Sequence, residues 1–254
     1  MSETPAASRN EEPFSVRPSP QNRFAAALRV LINLAVGRVV DDAALTSAAK
    51  SLEAMASDLE AAASPGRRPR GHPIAEGHPQ DYFWTSPMAG HANPLSVPVK
   101  YWADVTEDGT PMIRGLANVP LAYEGPPTCV HGGVISLLFD ELLGNANIIS
   151  GHAGMTGTLT VRYRKPTPLL MDLDLEARFQ HQEGRKILTK ATISCNGVVT
   201  AEAEGLFIEV PPNQMLGIVS ANAERAGRGV LDPELASFVD GTAENGLRPE
   251  DAEG

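Results

Sequence analysis

The 254-residue chain is poor in cysteine: Cys129 and Cys195 are the only two. A disulfide framework needs more, and neither stands in a CxxC pair, so both are expected to be reduced thiols. Its six histidines show no HxxxH grouping, so a metal site is not expected, and no cofactor is expected either. Basic residues are outnumbered: 21 Lys and Arg against 31 Asp and Glu leave a formal net charge of −10. That argues against nucleic acid as the main partner, because duplex binding relies on clustered Lys and Arg. No apolar run reaches the roughly 18 residues that would suggest a membrane span. The opening stretch MSETPAASRNEEPF is polar and acidic. It has neither the basic start and apolar stretch of a secretory signal nor the Arg-rich character of a transit peptide, so the cytoplasm is the expected location. There is no internal repeat.

Hydrophobic residues make up 42% of the chain, enough for one sizeable core with added elements. Residues 1–21 are rich in Pro, Ser, Asn and Glu and read as a disordered tail. Residues 22–64 read as a helical region. RFAAALRVLINLAV forms one helix, and a second is capped near Asp41 or Asp42, with Leu45, Ala48, Leu52, Met55 and Leu59 recurring at helical spacing. Residues 65–96, with Pro73, Pro79, Pro87 and Pro94 scattered around Tyr82, Phe83 and Trp84, read as an irregular segment that wraps the main domain. Residues 97–211 hold the strands. VPVKYWADV and PMIRGLANVPL flank an Asp-Gly turn, and four strand-like runs follow a long apolar helix. Residues 212–254 lose periodicity, gain acids and glycines, and read as a flexible tail. The order predicts an α+β domain in which one antiparallel sheet wraps one helix.

That helix is predicted over Gly132–Ile149, within CVHGGVISLLFDELLG and its continuation. Apolar residues cover nearly its whole circumference, which predicts burial. One stripe differs: Gly132, Ser136, Asp140 and Gly144 recur every fourth position and share a face. Burying a carboxylate is costly unless it is paired, so Asp140 needs a reason to be there. The ordinary reason is a solvated acid at a helix edge, or one satisfied by backbone donors. Glu141 points about 100° away and is read as a partly solvated side chain or a salt-bridge partner. The His131-Gly132-Gly133 run stands where a helix offers unpaired N–H groups and a positive dipole end. Glycine lets a substrate approach that backbone closely, and such a terminus can stabilise an oxyanion.

YEGPPTCVHGGVISLLFDELLG and GMTGTLTVRYRKPTPL together resemble signatures of the hotdog-fold acyl-CoA thioesterases of the PaaI type, most closely the Them4/Them5-like branch. The resemblance covers roughly residues 95–210. It implies a long central helix wrapped by an antiparallel sheet, with acyl-CoA as substrate, and assembly as homodimers or dimers of dimers. By position it implies Asp140 as the catalytic acid, His131 and the Gly132 N–H at the thioester carbonyl, and Thr156 as the hydroxyl that assists the water or the carboxylate. In one respect the chain departs from some relatives: where they have an Asn six residues before the His, it has Gly125.

Thioester hydrolysis needs an oxyanion stabiliser and an activated water or nucleophile. Gly132 and Asp140 are of the right types but stand eight residues apart, which is roughly 12 Å along a helix. One carbonyl cannot touch both in a single chain. Antiparallel central helices across a two-fold axis would bring one subunit's Asp140 and Thr156 to the other's His131 and Gly132. Asp140 would then serve as general base or as nucleophile. Strict alternation puts Thr156 on the face of Thr158, Thr160, Arg162 and Arg164, away from the helix, but the flanking Gly154 and Gly157 mark a place where alternation can fail. Arg162, Arg164 and Lys165 are candidates for the CoA phosphates, or else charges guarding a solvated strand edge. Cys129 lies two residues before His131 and raises a thiol nucleophile, though a free Cys is usually a small buried hydrophobe. A hotdog dehydratase acting on acyl thioesters and a non-catalytic acyl-CoA-binding protein are the competing readings.

Overall fold

The computed structural model describes residues 19–63, 85–152 and 154–211, with four further positions (Gln214, Gly217, Ile218 and Ala221). The expected tails and the Tyr82-Phe83-Trp84 anchors lie outside the described residues, apart from the first tail's last three residues and these four positions. Two helices come first. α1 spans Pro20–Gly37 and α2 spans Asp42–Ala62. Each has a side-chain cap: Ser19 accepts from the Asn22 N–H at 3.1 Å, and Asp41 accepts from the Ala44 N–H at 2.8 Å. Pro20 opens α1 at a position whose N–H has no helical partner anyway. α1 is tied to the 85–96 segment by Arg29, which donates to the Asn93 carbonyl at 2.8 Å and the His91 carbonyl at 3.3 Å. α2 buries no residue.

Six strands follow: β1 (Val99–Val105), β2 (Pro111–Asn118), β3 (Gly154–Tyr163), β4 (Asp172–Glu183), β5 (Lys186–Cys195) and β6 (Val198–Glu209). They form one sheet in the order β1-β2-β4-β5-β6-β3, antiparallel throughout. Turn chemistry fits the predicted hairpins. Gly109, Gly184, Asn196 and Gly197 all have positive φ, which the tight connections require and which Gly and Asn tolerate best. α3 spans Gly132–Ile149 and lies across the sheet. The fold is a hotdog, as expected.

The core forms where α3 meets the sheet. Ile135, Leu138, Phe139, Leu142, Leu143 and Ala146 are buried on the helix. Opposite them, the helix-facing positions of the middle strands are often small: Ala117, Ala177, Ala191, Ala201, Ala203 and Gly205. Small residues let the helix sink into the curved sheet. A Cβ on Gly205 would stand 3.0 Å from the Leu143 side chain. Truncating Leu138 or Leu142 here would cost about 2–5 kcal/mol, the range for buried Leu→Ala.

The stripe expected to differ does so, with Ser136, Asp140 and Gly144 partly open; the burial expected of the apolar positions is corrected at Leu137, which is 43% exposed. The edge strand β3 runs beside this uncovered side, bonded only to β6. Glu141 keeps part of its surface in water, within the expectation of a partly solvated side chain, and accepts from Ser86 Oγ at 3.2 Å; no ion pair holds it among the described residues. Helix rotation carries it off the open stripe and under the 85–96 segment.

Candidate active site

The site is built on the uncovered stripe of α3. At its N-terminus, the loop Glu124–Val130 delivers His131. Thr128 donates its N–H to Glu124 Oε1 at 2.7 Å, and the turn is closed by the Gly125 N–H donating to the Cys129 carbonyl at 3.0 Å and the Cys129 N–H donating to the Pro126 carbonyl at 2.9 Å. The His131 N–H is held by the Tyr123 carbonyl at 2.9 Å. Gly125 packs directly on this histidine: a Cβ there would lie 2.7 Å from His131 Cα. The Gly-Pro-Pro loop therefore leaves no room for a side chain at position 125 without backbone movement.

His131 is itself the N-cap of α3. Its Nδ1 accepts the Gly133 N–H at 3.0 Å. An acceptor nitrogen carries a lone pair, so in the neutral ring the proton sits on Nε2. The Gly132 N–H is the first of the helix and has no partner within it. The Gly133 N–H is committed to His131, so Gly133 contributes room rather than a free donor.

More than two turns down the helix, Thr156 Oγ1 donates to Asp140 Oδ1 at 2.7 Å. The question of its facing is resolved by a β-bulge. The β3–β6 register shifts between Thr156 and Thr158, leaving Gly157 as the extra residue. Above the bulge, Leu159, Val161 and Tyr163 face the helix; below it, Thr156 does too. A side chain at 157 would press within 3.1 Å of Ile208, which accounts for glycine there.

Tyr163 faces the helix from the end of β3. Its hydroxyl reaches the Gly132 carbonyl at 2.9 Å and Ser136 Oγ at 2.9 Å, tying β3 to the helix start. Arg162 and Arg164 do not join Asp140. Both pair with Glu202, Arg162 at 3.8 Å, and Arg162 stands on the sheet face away from α3. That pairing draws the Glu202 carboxyl below its usual range and raises the Arg164 guanidinium. Lys165 is exposed at the end of β3. Cys129 is half-buried and Cys195 buried, both as free thiols. Among the described residues no cluster of His, Cys, Asp and Glu could hold a metal.

Within one chain, then, the structure joins Asp140 to Thr156 and His131 to the glycines, and leaves the two pairs at opposite ends of one open stripe. No family model matches the sequence. Among solved structures, a thioesterase superfamily protein is 33% identical and superposes with a TM-score of 0.65, over 75% of this chain and 95% of that one. The chain belongs to the thioesterase superfamily. Curated relatives of this superfamily member include the acyl-coenzyme A thioesterase THEM4 of Mus musculus, 38% identical over 98 residues, and that of Xenopus laevis, 34% identical over 91 residues. These matches cover 38% and 35% of this chain, and the chain spans only 42% and 41% of the length of those relatives.

Proposed function

We propose that the chain is an acyl-CoA thioesterase, which hydrolyses an acyl-CoA thioester to the free acid and CoA. The observation that carries this reading is the 2.7 Å hydrogen bond from Thr156 to Asp140 on the uncovered stripe of α3. It orients a carboxylate whose Oδ2 meets no protein donor among the described residues, so Oδ2 can face a water or the thioester carbon. The acyl-coenzyme A thioesterase relatives support the same reaction.

The reaction proceeds by addition at the thioester carbonyl. As general base, Asp140 takes a proton from water while the oxygen bonds to the carbonyl carbon. As nucleophile, it adds directly and forms a mixed anhydride that water then opens. In both routes the oxyanion accepts from the Gly132 N–H and His131 Nε2–H, and the C–S bond breaks to release CoA thiolate, which takes up a proton. Oxygen-18 entering Asp140 in a single turnover identifies the nucleophile; label confined to the product acid fits the base, or an anhydride opened at its acyl carbon.

The site is composite, in a homodimer or a dimer of dimers. Support comes from the roughly 12 Å between the two halves of the stripe and from β3, a long edge strand with an open side. The partly exposed Leu137 and Met155 beside that edge offer apolar surface to a second copy. Gly133 leaves space for the substrate at the helix mouth. Arg162, Arg164 and Lys165 bind the CoA phosphates, with Lys165 the cation that Glu202 does not hold. The two free thiols accord with the cytoplasm, and no helix among the described residues is long and apolar enough to cross a membrane.

An acyl-CoA panel assayed for free thiol tests this. The wild-type chain releases CoA, and Asp140→Ala binds acyl-CoA without releasing it. Binding without hydrolysis by wild type would make the chain an acyl-CoA-binding protein; hydration or dehydration of an enoyl or hydroxyacyl thioester would make it a dehydratase.

A further inference from the structure

The start of α3 carries a hydrogen-bond arrangement that the reaction as described does not use. Gly132 O is approached by two hydroxyls, Tyr163 Oη at 2.9 Å and Ser136 Oγ at 3.1 Å, and those hydroxyls are 2.9 Å from each other. Each hydroxyl has one proton. Both protons cannot lie between the same two oxygens, so every arrangement that keeps them within the triangle places at least one on Gly132 O. That carbonyl shares a planar, conjugated peptide group with the Gly133 N–H. Donation into the carbonyl polarises the group and strengthens the N–H as a donor. The same N–H is bonded to His131 Nδ1 at 3.0 Å.

We infer that Tyr163 and Ser136 are positioning residues that fix the tautomer of His131 through the Gly132–Gly133 peptide. The relay runs from hydroxyl to carbonyl, through the peptide to its N–H, and on to Nδ1, so that Nε2 carries the proton and faces the substrate. The other tautomer would set Nδ1–H against the Gly133 N–H, donor against donor. Both glycines fit this role. A Cβ at 132 would stand 3.4 Å from the Tyr163 hydroxyl, and one at 133 would stand 3.2 Å from Nδ1, so bulk at either position crowds one end of the relay. The consequence for catalysis rests on the thioesterase reading; the tautomer itself does not.

The test uses the full chain labelled with nitrogen-15. The wild type should show a scalar coupling across the hydrogen bond between the Gly133 nitrogen and His131 Nδ1, with the ring proton on Nε2. Absence of that coupling, or a proton on Nδ1, overturns the relay without any variant. In the Tyr163→Phe, Ser136→Ala double variant the Nδ1–H tautomer should rise above its wild-type level and the Gly133 amide proton should move upfield. Each single variant keeps one donor and should stay near wild type. In turnover, the double variant should lose about tenfold in kcat with little change in KM, less than the loss of a whole oxyanion donor. Unchanged ring signals in the double variant refute the relay whatever the rate does. Tautomer mixing in a chain that hydrolyses no thioester leaves the relay standing and removes the thioesterase reading.

Discussion

Thr156 Oγ1 donates a hydrogen bond to Asp140 Oδ1 at 2.7 Å, from an edge strand to the open face of the central helix. Asp140 is thereby oriented by a group sixteen residues away in sequence. Removing the donor leaves the carboxylate free to rotate. Thr156→Val should lower kcat by about tenfold or more, as expected for a hydrogen bond to a charged group. Thr156→Ser should retain most of the rate. Steady-state kinetics on one acyl-CoA decides this, and equal rates for the Val and Ser variants would remove Thr156 from the mechanism.

Composite sites make a prediction about mixtures. Asp140→Asn and His131→Ala should each be inactive, but a purified heterodimer of the two contains one site with both changes and one with neither. It should recover about half of wild-type activity per dimer, because a two-fold interface exchanges the two halves. If both residues served one site within a chain, the heterodimer would stay inactive.

Gly125 supports His131 by contact. Gly125→Ala brings a Cβ to 2.7 Å from His131 Cα, and backbone must move to accept it. Overpacking of this kind costs about 1–3 kcal/mol. Displacing His131 by about an ångström should lower kcat by roughly a hundredfold. Thermal denaturation and kinetics on the same sample measure both effects. A fully active Gly125→Asn would show that the Gly-Pro-Pro loop places no constraint on the histidine.

Glu141 is a liability of the fold at neutral pH. Burial pushes its carboxyl above the usual range, the Ser86 hydrogen bond pulls it back in part, and the neighbouring Asp140 adds to the rise. An acid whose pKa is higher folded than unfolded binds its proton more tightly in the folded state. Its contribution to stability therefore falls as pH rises from the unfolded value to the folded one, and the loss persists above that. Glu141→Gln keeps an acceptor for Ser86 and removes the charge. It should raise the melting temperature at pH 7–8 and leave it nearly unchanged below about pH 4, where the unfolded glutamate is also protonated. A destabilised Glu141→Gln at neutral pH would mean that the buried charge has a partner that repays its desolvation. The buried Tyr101 hydroxyl, which has no hydrogen-bond partner among the described residues and is held further from ionisation by its burial and by Glu141, does not supply one.

Much of this protein was legible in its sequence because local rules act on local chemistry. Alternation and positive-φ turn residues mark the hairpins, and the apolar run from Gly132 to Ile149 gives the helix its bounds. The four-residue spacing of Gly132, Ser136, Asp140 and Gly144 sets the open stripe, and helix rise alone separates its two halves. Tertiary structure decided the rest. Thr156 meets Asp140 because a bulge at Gly157 reverses the facing of everything below it, and a bulge depends on the partner strand β6. Glu141 is partly withdrawn from water because the 85–96 segment lies over it, a contact between parts of the chain 55 residues apart. Arg162 and Arg164 are drawn to Glu202, a carboxylate that only strand pairing brings within reach. The Gly132 carbonyl gains its two hydroxyls where β3 returns to the start of α3. Spacing along a helix or strand is a property of the chain; which side chain answers another across the fold depends on register and packing.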